Sequence, residues 1–183
     1  MNPDKSRKRK YLIESYNPAW MTQFETIKKN LKQVFGEKAL AIKHIGSTSI
    51  PGMKAKPLID VLVTIATYEP FLLEKEMMVK LGYEWGENYI APDSFIFYKT
   101  IDSDQKIENI HVCIENSPKA IQFITTRDYL RTHPERALLY SNLKDALHKE
   151  FPDDYPAYRK GKQEFIDESE RLTQEWLKNK NND

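Results

Sequence analysis

The segment that most constrains this fold is a pair of short stretches rich in β-branched residues, joined by a loop of Gly, Pro and Lys. Residues 39–45 and 57–66 read ALAIKHI and PLIDVLVTIA, which is typical of strands. In the second strand, alternation places Asp60 on the face opposite Val61 and Val63. A carboxylate within an apolar strand costs free energy unless it is solvated, paired or bound to a cation. Asp60 is therefore a candidate site residue.

The loop between the two strands has the composition of an anion-binding turn. It begins with Gly46, Ser47 and Thr48, whose backbone N–H groups and hydroxyls suit phosphate oxygens. Lys54 and Lys56 follow and supply mobile cations for a triphosphate. Two structural alternatives remain: a plain polar loop, and an ion pair between the strand carboxylate and one of these lysines.

Helical periodicity dominates both ends of the chain. Apolar residues recur at steps of three and four from Trp20 to Val34, and Gly36 follows as a natural stop. A second helix is predicted over 70–81. Further strands are predicted near 83–89, 94–100 and 108–115. We expect an α+β domain with a sheet of about five strands across residues 37–116, followed by C-terminal helices over 117–180.

Composition narrows the classes of function. The 183 residues include 28 basic and 27 acidic side chains, for a net charge of +1, so bulk charge indicates no nucleic-acid partner. Residues 1–10 are strongly basic, and we expect a flexible tail there with a single domain over 11–183. No apolar run approaches the ~20 residues of a membrane-spanning helix. The single cysteine, Cys113, leaves no intrachain disulfide and fits a reducing cytoplasm.

The loop and its second strand carry a resemblance to a known family. The stretch HIGSTSIPGMKAKPLIDVLV, residues 44–63, resembles the signature of the GrpB family, a branch of the polymerase-beta-like nucleotidyltransferase superfamily. Supporting segments follow in family order: YNPAW at 16–20, IHV at 110–112 and RDYLRTHPE at 127–135. The resemblance implies a nucleotidyltransferase-like mixed β-sheet with flanking helices and a C-terminal helical extension. It further implies that Gly46 and Ser47 hold nucleotide phosphates and that Asp60 binds Mg²⁺, with Mn²⁺ as a substitute.

The chain departs from the superfamily pattern at the second acidic position. The superfamily places two alternating carboxylates on this strand to bind two divalent metals, but here Leu62 occupies that position. His111, on a later strand, is the best-placed replacement for the superfamily's third carboxylate. It suits a metal ligand, a general base or a hydrogen-bonding group, and equally a structural histidine. Arginines of the first C-terminal helices either contact a ligand or are solvated: Arg127, Arg131 and Arg136.

These features predict an enzyme that transfers a nucleotidyl group from a nucleoside triphosphate to an unidentified hydroxyl acceptor, with Asp60 and His111 as catalytic residues. One alternative is a binding module of the same fold that senses a nucleotide or another phosphorylated small molecule without catalysis. Another is an interaction domain whose C-terminal helices dock a partner beside a vestigial pocket. Leu62 keeps these alternatives open, because a leucine side chain cannot ligate a metal.

Overall fold

The computed structural model describes residues 11–68, 72–86, 94–101 and 105–180. In these ranges the strands are β1 (Ala41–Ile45), β2 (Ile59–Ile65), β3 (Glu84–Gly86), β4 (Ser94–Ile101) and β5 (Gln105–Ile114). They form one sheet in the spatial order β1-β2-β5-β4-β3. Strands β2 and β5 are parallel, and the remaining neighbours are antiparallel. The predicted mixed sheet of five strands is confirmed.

Helices flank this sheet and form the C-terminal part of the chain. They are α1 (Ala19–Phe35), α2 (Leu72–Lys80), α3 (Pro118–Thr132), α4 (Pro134–Glu150), α5 (Tyr155–Gly161) and α6 (Gln163–Lys180). A proline occupies the first turn of α3, α4 and α5, where its missing N–H costs no helical hydrogen bond. None of the helices in the described ranges combines the length and apolar character that crossing a bilayer requires.

Several observed boundaries differ from the predicted ones for local reasons. Strand β2 begins at Ile59 and not at residue 57, because Pro57 has no N–H and the Leu58 N–H bonds to the Lys56 carbonyl across a tight turn. Strand β5 begins at Gln105, three residues earlier than predicted, because it continues its antiparallel pairing with β4. The predicted tail 1–10, residues 70–71 of the predicted helix and 87–89 of the predicted strand lie outside the described residues.

One face of the sheet is the main hydrophobic core. Alternate residues of β2 point into it, as predicted: Ile59, Val61, Val63 and Ile65. Helix α1 covers them with its apolar stripe: Trp20, Phe24, Ile27, Leu31 and Val34. Because strand and helix periodicities agree about which residues are buried, this face fixes the register of β2 and directs Asp60 to the other face.

The opposite face of the sheet is covered only in part. Helix α3 packs over Leu62, which is completely buried together with Ile45, Cys113 and Ala120. Asp60 lies two residues earlier on the same face, and its side chain keeps 23% of its surface exposed. Leu62 therefore belongs to the packing between the sheet and α3, whereas Asp60 lies beyond the covered area.

We expect Leu62→Asp to lower the free energy of unfolding by about 3–5 kcal/mol, because the new carboxylate has no cationic partner under α3. The matched control is Leu73→Asp on α2, where the native side chain is 63% exposed and the expected change stays within about 1 kcal/mol. Urea denaturation of both variants measures the difference. Equal losses in the two variants would contradict the packing role of Leu62.

Candidate functional site

Gly46 opens the loop after β1 in a conformation that only glycine adopts readily. Its φ of 71° and ψ of −177° lie outside the regions available to L side chains. A Cβ atom at this position would also lie 2.6 Å from Asp60 Oδ2. The short 3₁₀ turn Ser47–Ser49 follows, with Ser49 Oγ donating to the Gly46 carbonyl at 2.6 Å. Glycine is therefore required twice, by the backbone and by the close approach of Asp60.

Asp60 is oriented by residues of the neighbouring strand. It pairs across the parallel ladder with Asn109, whose Nδ2 donates to Asp60 Oδ1 at 2.8 Å. His111 Nε2 lies 3.5 Å from the same oxygen. The structure thus brings together Gly46, Asp60 and His111, which the sequence analysis singled out separately. It adds Asn109, which alternation along the predicted strand 108–115 already placed on the same face as His111.

Two polar atoms beside the Asp60 carboxylate lack partners among the described residues. Asn109 Oδ1 and His111 Nδ1 are both buried and accept or donate no hydrogen bond there. The His111 side chain is almost fully enclosed and contacts Phe123, with ring centroids 4.7 Å apart. Buried polar atoms without partners cost free energy unless a ligand or ordered water satisfies them. They are the kind of atoms that a bound ligand or cation completes.

The oxygen donors here suit one hard cation that arrives with a ligand. Mg²⁺ in proteins often takes one or two carboxylates together with waters and substrate phosphates, and Asp60, as a single partly exposed carboxylate, fits that mode. A two-metal centre does not fit, because Leu62 is buried at the second acidic position. Across the described ranges, no three His, Cys, Asp or Glu residues converge to hold a metal by themselves. No step involving paired metals follows from these residues.

Thr48 uses its hydroxyl inside the protein. Thr48 Oγ1 donates to the Leu58 carbonyl at 3.0 Å, and His44 Nε2 lies 3.1 Å from it. Because the hydroxyl proton is used by Leu58, His44 must donate through Nε2. Burial, with smaller contributions from nearby arginines, lowers the pKa of His44 to about 4, so the ring is neutral at pH 7. Thr48 thereby ties the two ends of the loop together, and its role in phosphate binding stays a prediction.

Arginines from α3 hold the end of β1 and the following loop through backbone carbonyl groups. Arg127 Nη1 donates to the His44 carbonyl at 3.1 Å, and Arg131 donates twice to the Ser49 carbonyl, at 3.1 and 2.7 Å. Arg136 instead pairs with Glu168 of α6 at 2.5 Å. The three arginines are thus engaged with the protein: Arg127 holds the end of β1 against α3, and Arg131 holds the loop.

A cavity of about 220 Å³ opens beside Gly46 and Ser47, between the loop and the C-terminal helices. Arg127 contributes a charge to its wall, and Tyr140 and Phe165 contribute aromatic surface. A groove of about 580 Å³ along α3 and α6 shares part of this lining: Lys119, Gln122, Thr126 and Glu170. The turn therefore borders a small, partly aromatic cavity with a larger polar groove adjoining it.

The two loop lysines point toward the C-terminal helices. Lys54 Nζ pairs with Asp145 of α4 at 3.1 Å. Lys56 Nζ donates to the Tyr155 hydroxyl at 2.7 Å and lies 4.5 Å from the centre of that ring. Neither lysine pairs with Asp60, so the structural alternative considered for this carboxylate does not apply. The Lys54 charge is compensated by Asp145, whereas Lys56 is held by a neutral partner.

Two further lysines belong to the helical region, where Lys144 is buried and Lys162 is half-buried. Lys144 of α4 is almost fully buried, and its Nζ donates to the Lys54 carbonyl and lies 4.5 Å from the Tyr140 ring centre. Lys162, between α5 and α6, has its Nζ 4.4 Å from the Tyr158 ring centre. Burial, with a smaller contribution from neighbouring positive charges, lowers the pKa of each lysine to about 7. Sequence periodicity did not identify them, since lysines on amphipathic helices are normally solvated.

Comparison with known proteins assigns the family. The family model described as GrpB protein matches residues 10–171. The chain belongs to the GrpB family. A crystal structure of conserved protein GrpB from Enterococcus faecalis matches it with a TM-score of 0.85 and 30% identity, covering 91% of this chain and 99% of that one. The sequence resemblance to the GrpB family is thereby confirmed.

A curated relative extends beyond this chain. UPF0157 protein YqkA of Bacillus subtilis is 39% identical over 176 residues, which are 96% of this GrpB chain but 50% of YqkA. The chain therefore spans half the length of that relative. A crystal structure of the Cid1 poly(U) polymerase matches with a TM-score of 0.50 and 12% identity, over 75% of this chain and 43% of Cid1. This likeness shows a shared nucleotidyltransferase-like fold, as predicted.

Replacing Gly46 by alanine tests the contact with Asp60. Both Gly46 and Gly52 have positive φ, 71° and 78°, but a Cβ at Gly52 meets nothing within 4 Å. We expect Gly52→Ala to cost about 1–2 kcal/mol of stability from backbone strain alone. Gly46→Ala should cost about 1–2 kcal/mol more, because Asp60 must also move. Equal losses in urea denaturation would show that the contact is unimportant.

The buried lysines predict a rise in stability with pH. The unfolded chain keeps Lys144 protonated up to its ordinary pKa of 10.5, while in the folded protein the pKa is about 7. Between pH 7 and 9 the unfolded state therefore binds more protons, and the free energy of unfolding rises by up to about 1.4 kcal/mol per pH unit for each such lysine. Denaturation at pH 7, 8 and 9 should show this slope, and Lys144→Met should reduce it. An unchanged slope in the variant would refute the assignment.

Proposed function

We propose that this GrpB protein binds a nucleoside triphosphate, or a closely similar phosphorylated small molecule, with its phosphates at the Gly46–Ser47 turn. The observation that most supports this proposal is the position of Asp60, whose Oδ2 lies against Gly46 while the side chain stays partly exposed. Because like charges repel strongly at short range, the Asp60 carboxylate would repel a phosphate that binds at this turn without a cation. A ligand that brings a divalent cation removes this repulsion, which favours a Mg²⁺–nucleotide complex over free phosphate.

The surroundings of the turn support a nucleotide as the ligand. The backbone of the half-buried Gly46–Ser47 turn suits phosphate oxygens, and the adjoining cavity offers the rings of Tyr140 and Phe165 for an apolar or stacking group. Bound Mg²⁺, or Mn²⁺ in its place, supplies charge neutralisation between Asp60 and the phosphates. The fold shared with Cid1, which is named a poly(U) polymerase, is consistent with this ligand class.

Nucleotidyl transfer is the second candidate function. It is favoured by the His111–Asp60 pair and by the polar groove next to the cavity, which has room for a hydroxyl acceptor. The acceptor hydroxyl would give its proton to this pair, and its oxygen would attack the α-phosphorus. The bond from that phosphorus to the bridging oxygen would break, and pyrophosphate would leave with the electron pair. Because Leu62 occupies the second acidic position and cannot ligate a metal, binding without catalysis is the first candidate function and nucleotidyl transfer is the second.

The Asp60→Asn variant tests the proposed binding mode. Calorimetry with ATP, GTP, CTP or UTP should detect binding to the native protein that is stronger with Mg²⁺ than with EDTA. Asp60→Asn should weaken binding at least about tenfold in Mg²⁺ and little in EDTA, because only the cation-dependent contact is lost. Its stability should stay within about 1 kcal/mol of native, since the side chain is partly solvated. Asp153→Asn, at an exposed position before α5, is the matched control.

The outcomes separate the candidate functions. Transfer of label from the α-phosphate to an acceptor would mark a transferase, and binding without transfer would mark a nucleotide sensor. Silence with all four nucleotides, in Mg²⁺ and Mn²⁺, would overturn the proposal and favour the interaction domain. If Asp60→Asn unfolds the protein while the native chain binds no nucleotide, Asp60 is a structural residue.

A further inference from the structure

The cavity beside Gly46 and Ser47 has walls from two helices. Helix α3 lines it with residues at steps of three and four between 119 and 130, which is one face of the helix, and α6 lines it between residues 165 and 170. Its volume of about 220 Å³ is smaller than the roughly 300–1,000 Å³ of pockets that enclose a whole ligand. The cavity therefore suits one part of a nucleotide. Phosphates at the turn, as proposed above, would place the nucleoside in it.

A directed chain of hydrogen bonds joins α3 to α6 where the cavity meets the larger groove. Lys119 Nζ donates to Gln122 Oε1 at 2.6 Å, and Gln122 Nε2 donates to Glu170 Oε1. An ammonium group can only donate and a carboxylate can only accept, so the Gln122 amide has a single possible orientation. All three residues line both the cavity and the groove. The chain thus holds the Glu170 carboxylate in the wall between the two.

Glu170 has acceptor capacity left for a ligand. No donor among the described residues binds its Oε2, and it forms no ion pair within those residues. Each carboxylate oxygen has two lone-pair sites, so Oε1 can also accept a second hydrogen bond. The side chain is half-buried, and a hydrogen bond to a charged group contributes more to affinity than one between neutral groups. This wall therefore offers two adjacent acceptors to a ligand that carries N–H donors.

Among the common bases, guanine matches this acceptor pair. Its N1–H and its 2-amino group lie side by side and can bind the two oxygens of one carboxylate. Adenine and cytosine each present an amino group next to a ring nitrogen that is itself an acceptor, and uracil presents one N–H between two carbonyls. Opposite a carboxylate, these extra acceptors would repel. The rings of Tyr140 and Phe165, which stack in parallel with centroids 4.7 Å apart, add a fixed apolar wall.

We infer that the cavity binds the base of the nucleotide and that Glu170 selects guanine. Glu170 is then a specificity-determining residue, and Gln122 and Lys119 are positioning residues that act through it. This inference rests on the proposed function and adds a base preference to it. A site that hydrogen-bonds a particular group discriminates strongly against an analogue that lacks the group.

The Glu170→Gln variant tests the base preference. Calorimetry in Mg²⁺ would compare GTP with ATP and with inosine triphosphate, which differs from GTP only by lacking the 2-amino group. The native protein should bind GTP at least about tenfold more tightly than either of the others. Glu170→Gln replaces one acceptor oxygen by an NH₂ donor, so it should weaken GTP binding about tenfold and change ATP binding less than about twofold. Glu164→Gln, at an exposed position on the same helix, should leave all three affinities unchanged.

The results distinguish this inference from the proposed function. Equal affinity of the native protein for GTP, ATP and inosine triphosphate would overturn the base preference while leaving nucleotide binding intact. Silence with every nucleotide would overturn both. Equal weakening of all three ligands by Glu170→Gln, or the same effect from Glu164→Gln, would also refute the role of Glu170. If Glu170→Gln fails to fold, Glu170→Asp takes its place: it keeps the charge but withdraws both oxygens by one methylene, and the same loss of GTP preference is expected.

Discussion

The contact between the Asp60 carboxylate and Gly46 is the constraint on which the rest of the site depends. The apolar face of β2 packs on α1, so the Asp60 side chain lies on the opposite face of the sheet. Asn109 then fixes its orientation through a hydrogen bond to Oδ1. Because Oδ2 lies 2.6 Å from the position that a Cβ of residue 46 would take, the chain needs glycine at the start of the turn. The carboxylate and the turn are therefore positioned as one unit by the packing of the sheet.

The C-terminal helices supply packing and hydrogen bonds that hold the loop beside the sheet. Helix α3 covers Leu62, and it holds the end of β1 through Arg127 and the loop through Arg131. The helices beyond it contribute Lys144 and Lys162, which are absent from the sheet and the loop.

The sequence predicted those features that follow from local pattern. Alternation in β2 gave the direction of Asp60, and the Gly-Ser pair gave the turn, because both are properties of neighbouring residues. Asn109 was missed as a partner, since its pairing with Asp60 depends on the register of two strands far apart in sequence. Lys54 was expected to face a ligand, yet it pairs with Asp145 of a helix whose docking no local pattern specifies.

The most direct measurement of the central claim is a crystal structure of the protein grown with Mn²⁺ and a non-hydrolysable nucleoside triphosphate. Anomalous scattering locates the manganese without ambiguity. The account predicts an ion bonded to an Asp60 oxygen and to phosphate oxygens, with the phosphates against Gly46 and Ser47. A nucleotide bound elsewhere, or an ion with no bond to Asp60, would contradict it.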